Sequence, residues 1–107
     1  MTYANGTEAL NYDLKTSTTV SAAGYIMSND GTNNTLDLAA ATEIGLCISA
    51  EESSRDAAGD LETSSATVAA YPLGGILLVA AKASDVFTTG ITVYIGVGGL
   101  ATVTAGS

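Results

Sequence analysis

Apolar residues in this chain come in short segments punctuated by Gly, Asn, Asp, Ser and Thr, the pattern of an all-β domain. Residues 1–15 alternate only weakly and are expected to form an extended N-terminal arm; a single domain is expected over 16–107. Tyr25-Ile26-Met27 has the composition of a strand core, closed by Ser28-Asn29-Asp30-Gly31, where Asp-Gly supplies the positive φ of a tight turn. Leu36 and Leu38 share one face of a short strand, while Ala39-Ala40-Ala41 suits either its continuation or a first helical turn. Ile44, Leu46 and Ile48 recur with period two, which predicts a strand whose opposite face is built from the small residues Gly45, Cys47 and Ser49.

Between 49 and 66 the pattern lapses. Five of the 11 acidic residues fall there with one strong hydrophobe, Leu61, so a long exposed loop is expected. Strand character returns at Val68–Tyr71 and stops at Pro72, which cannot donate to a ladder. Ile76-Leu77-Leu78-Val79 is apolar on both faces and predicts a strand covered on both sides. After a connector at 83–87, with one helical turn capped by Ser84 as an option, Ile91–Ile95 and Leu100–Val103 flank a Gly-rich bend as a terminal hairpin. The order hydrophobe, Gly, short strand, Gly turn occurs twice, at Val20–Gly31 and Phe87–Gly98. A duplication or the common demands of two hairpins would each produce it.

A chain of 107 residues holds one ordinary core. Its apolar share of 47% argues for a packed domain, yet much of it is Ala and Val, with one Phe, five Tyr and no Trp. Small side chains suit a narrow interior or close contacts between subunits. The net charge of −8 repels phosphate backbones and anionic lipid, so neither nucleic acid nor a membrane surface is an expected partner. An acid excess with almost no Lys is also compatible with adaptation to high salt. The N-terminus shows no signal peptide pattern, and the longest apolar run, 74–81, falls well short of the ~20 residues a membrane helix needs.

Candidate chemistry is sparse. The chain contains no His, the commonest general base and transition-metal ligand. Cys47 is the single cysteine, so no intrachain disulfide can form; set between Leu46 and Ile48, it reads as a small buried hydrophobe. No Gly-x-Ser-x-Gly elbow, Walker loop or dinucleotide fingerprint is present. The carboxylates Glu51, Glu52, Asp60 and Glu62 sit where solvated charge is expected, and the oxygen-rich run Asn29–Asp37 does not follow a calcium-loop order. No enzyme, cofactor or metal site is expected.

The succession Ala58-Gly59-Asp60, Val68–Tyr71, Gly74–Val79, Ala80-Ala81-Lys82-Ala83, Phe87-Thr88-Thr89-Gly90, Val93-Tyr94-Ile95 and Gly99–Thr104 has a counterpart in a known family. Preceded by Val20–Gly24, Asp30-Gly31, Ala39–Thr42 and Ile44-Gly45-Leu46, it resembles the small capsid decoration (cement) proteins of tailed viruses over roughly residues 18–104. The resemblance implies a β-barrel-like domain on the capsid exterior of the virion, assembled as a homo-oligomer, commonly a trimer. Its partner would be the viral major capsid protein. On that footing Ile76, Leu77, Leu78 and Val79 are the expected subunit contacts, and Tyr3, Leu10, Tyr12 and Leu14 the expected capsid contacts. Another self-assembling subunit (major capsid, tail or surface-layer protein) and a carbohydrate-binding β module remain alternatives, the last disfavoured by the absence of Trp.

Overall fold

The protein is described by a computed structural model over residues 8–31, 34–73 and 78–107. It is all-β. A five-stranded antiparallel sheet has the order β1-β5-β4-β2-β3, with β1 at Leu10–Asp13, β2 at Ile26–Asn29, β3 at Leu36–Leu38, β4 at Cys47–Ser49 and β5 at Thr67–Pro72. A two-stranded ribbon of β6 (Tyr94–Ile95) and β7 (Ala101–Thr102) follows, joined through a single 3-10 turn at Val97–Gly99. The sheet curls until its two edges touch at one bridge, Leu14 to Leu36, with the Lys15 amide donating to the Leu36 carbonyl at 2.9 Å. A barrel-like interior results, without a closed barrel.

Strand alternation divides the apolar residues between two sides of this sheet. Met27 stands opposite Cys47, and both face inward with Leu14, Val20, Leu36, Ala66, Val68 and Ala70. The neighbouring pair, Ile26 opposite Ile48, faces outward and packs with Ala39 and Ile95 beneath the ribbon. The narrow interior explains the small residues: Cys47, Ser49, Ala66 and Ala70 fit where the curled sheet leaves little width.

Two buried serines reinforce backbone pairing where the chain crosses from β1 to β2. Ser53 Oγ accepts from the Val20 amide at 2.9 Å, and Ser49 Oγ accepts from the Tyr25 amide at 3.0 Å while donating to the Ala22 carbonyl at 2.9 Å. Among the described residues every buried side-chain oxygen and nitrogen has such a partner.

The ribbon docks on the outer face through two glycines. The Gly24 carbonyl accepts from the Ala80 amide at 2.7 Å, and a Cβ at Gly24 would lie 2.8 Å from that same nitrogen. Gly99 donates to the Ala39 carbonyl at 2.7 Å, and its missing Cβ would collide with the Ile26 carbonyl oxygen. The segment at 80–82 then pairs with β7 through an Ala81–Ala101 bridge.

Several expectations change. Residues 10–13 are not a free arm: β1 is an integral strand, in register with β5 from Leu10–Ala70 to Asp13–Thr67. Ala39–Ala41 form no helix, and 83–84 is a turn with Ser84 at φ 72° rather than a capped helical turn. The period-two strand at 44–48 shortens to Cys47–Ser49. The expected exposed loop at 49–66 begins inside β4 at Ser49, carries no further strand among its residues, and is not exposed throughout, since Ser49, Ser53 and Ala66 are buried; it is also tied down. Its Arg55 and Leu61 bridge, Asp56 Oδ1 accepts from the Ala58 and Asp60 amides (2.9 and 3.0 Å), and Arg55 pairs with Glu52 at 2.8 Å. The terminal hairpin forms, but its strands shorten from the expected 91–95 and 100–103 to Tyr94–Ile95 and Ala101–Thr102. Gly24, Gly31, Gly90 and Gly98, the repeated glycines of the two hairpin-like stretches, all take positive φ, which any such turn requires.

Candidate interaction surface

The most prominent surface feature grows from the outer face of the sheet. Ile44 and Leu46 precede β4 on the side opposite Cys47, and the ribbon covers Ile48 but not them. Ile44 is 82% exposed and Leu46 about half exposed. Gly45 between them lies against Ile26, Ile95 and Leu73, which brings the exposed Leu73 side chain to the same place.

Three adjoining depressions link these residues to the ribbon. One of about 530 Å³ is lined by Ile26, Val79, Ala81, Phe87, Val93, Tyr94, Ile95 and Ala101. A second shares Val93, Tyr94 and Ile95 with it and reaches Thr42 and Glu43. A third shares Thr42 and Glu43 and ends on Ile44 and Leu46. The outcome is two groups of exposed apolar side chains, Ile44 and Leu46 at one end and Phe87, Val93 and Tyr94 at the other, joined through Thr42 and Glu43. Such clustering is more than the singly scattered hydrophobics that any domain carries.

Its electrostatics are simple. Glu43 is the one acidic or basic residue among those lining residues. Its Oε1 accepts from the Ala40 amide at 2.7 Å and from Ser28 Oγ at 3.2 Å, so it serves to close the 40–43 turn. Asp85, within the connector, is engaged by the end of β7: it accepts from Thr102 Oγ1 at 2.7 Å and from the Val103 amide at 3.0 Å. The Thr102 hydroxyl, and after it the Val103 amide, hold its carboxyl below the ordinary carboxylate range.

Of the expected subunit contacts, Ile76 and Leu77 lie outside the described residues. Leu78 and Val79 belong to no strand; Leu78 is 61% exposed and Val79 lines the depression of about 530 Å³. Of the expected capsid contacts, Tyr3 lies outside the described residues. Leu14 must be withdrawn: it is 4% exposed, in the main core, because alternation along β1 turns Leu10, Tyr12 and Leu14 all toward the interior. Tyr12 packs against that core as well, which leaves Leu10, half exposed at the end of the strand. The residues missed in the sequence were Phe87, Val93 and Tyr94. Their signal was the apolar run in the terminal hairpin, whose second side has no covering partner among the described residues.

Cys47 has the buried position expected of it, and burial pushes its thiol up to about 11. Among the described residues no three Cys, Asp or Glu side chains gather as a metal site would require, and no helix is long and apolar enough to cross a membrane. No protein-family model matches the chain, and neither a curated protein nor a solved structure resembles it at a significant level.

Proposed function

We propose that this chain is a non-catalytic structural subunit of a virion: a decoration or cement protein that sits on the outside of a tailed-virus head as a homo-oligomer and braces the major capsid protein. The observation that carries the proposal is the clustering of exposed apolar side chains along adjoining depressions, from Ile44 and Leu46 past Thr42 and Glu43 to Phe87 and Tyr94, on a domain whose barrel-like interior is already filled. A monomer gains nothing from leaving such a surface in water; a subunit that works by adhesion requires it. Short strands, tight turns and an acidic exterior suit a particle component that must attach without promoting clumping of whole particles. Leu10 is the described residue of the N-terminal segment available to touch the shell.

The decisive experiment mixes the purified chain with undecorated capsids built from the shell protein encoded beside it. Ordered, saturable attachment seen by electron microscopy, together with capsids that survive greater heating, is the expected result. Absence of attachment to both immature and expanded shells would overturn the proposal.

A further inference from the structure

Resting on the proposal that the chain works as an assembled subunit, we infer that the apolar surface formed by Ile44, Leu46, Leu73, Phe87, Val93 and Tyr94 is the contact between copies of this chain, not the contact with the shell. Charge selects the occupant. A basic partner finds a single carboxylate, Glu43, among all the lining residues, too little charge to select it. A second copy brings a charge of −8 of its own and is repelled wherever acids lie, so this nearly uncharged surface is where two copies approach at least cost.

Size agrees. A stable interface takes roughly 800 Å² from each partner. Six large side chains exposed between 39% and 82%, with the smaller groups between them, offer area of that order. Shape agrees too. Among the described residues β6 is paired on one side only, with β7. The stretch Ile91-Thr92-Val93-Tyr94-Ile95 is made of residues that favour strands and carries no charge or proline to block pairing. Two copies related by a two-fold axis can therefore set their β6 edges together while the apolar side chains interdigitate, the same patch serving on both sides.

The test is the mass of the full chain in solution, by light scattering and sedimentation equilibrium from low micromolar to millimolar concentration. A dimer or higher closed oligomer is expected, tightening as added salt screens the repulsion between copies. Ile44→Asp and Val93→Asp, both at exposed positions, are expected to stay folded by circular dichroism and to weaken association by at least about tenfold, as an unpaired charge buried at a contact does. Ala58→Asp, at an exposed turn position that lines none of these depressions, is expected to leave association unchanged. A chain monomeric throughout, or an oligomer that survives both face variants, overturns the inference. Capsid attachment by a monomer would overturn this inference alone; a face-dependent oligomer that never attaches would overturn the decoration role alone.

Discussion

Gly98 and Gly99 are neighbours with nearly equal positive φ, 75° and 77°, and they differ in what surrounds them. A Cβ at Gly98 would meet open space, whereas one at Gly99 would collide with the Ile26 backbone. Gly98→Ala is expected to cost about 1 kcal/mol, the strain of a left-handed residue. Gly99→Ala should cost clearly more, since the ribbon must lift from β2 to make room. Thermal denaturation of the two variants checks this; equal losses would mean that the close approach does not hold the ribbon. Cys47 allows a second test at the same scale. With its thiol at about 11 against an ordinary 9.0, it favours the folded state fully below pH 9. That contribution, about 2–3 kcal/mol, is lost as pH rises from 9 through 11. Denaturant melts across that range should show the fall, and Cys47→Ser, whose hydroxyl does not titrate there, should flatten it. At neutral pH the native thiol should resist alkylation that the unfolded chain undergoes at once.

At the scale of elements, Asp85 shows how a connector without regular structure is held. Its carboxylate ties the 83–90 segment to the end of β7 through Thr102 and Val103. Asp85→Ala is expected to speed amide exchange at Val103 and around β7 while leaving the β4–β5 ladder protected. Because its carboxyl lies below the usual range, the tie is present above ordinary carboxylate pKa values and is lost as acid protonates it in the folded state. A pH series of amide spectra should therefore show the ribbon loosening only at the acid end. The same elements show what was legible beforehand. The β2–β3 hairpin was readable because Asp30-Gly31 dictates its turn locally, and the Gly31 amide indeed donates to Asn29 Oδ1 at 2.7 Å. β1 was not, because Leu10, Tyr12 and Leu14 form a short alternation whose partner, β5, lies more than 50 residues along the chain. Nothing local marks a pairing of that span. At 44–48 the alternation holds only within Cys47–Ser49, since Gly45 lies against Ile26 and Ile95 of the outer cluster, and periodicity does not say which side is the interior. The small side, with Cys47, faces the narrow core, and Ile44 and Leu46 are left outside.

For the molecule as a whole, charge and apolar surface act together. Eleven acids face three bases, and the ion pairs among the described residues, Lys15–Asp37 at 3.9 Å and Arg55–Glu52 at 2.8 Å, are exposed and individually weak. Self-repulsion among the remaining carboxylates therefore outweighs what screening would take from the pairs, and the melting temperature is expected to rise as sodium chloride goes from low to molar concentration. Association would raise it as well, by mass action, so the two causes must be separated. The Ile44→Asp variant at high dilution does so: a rise that persists there comes from relief of repulsion within one copy. A rise confined to the parent chain and growing with protein concentration comes from the contact between copies. A melting temperature that falls with salt in the dilute variant would show that the ion pairs outweigh the repulsion, and that the acid-rich surface is a stabilising network rather than a load on the fold.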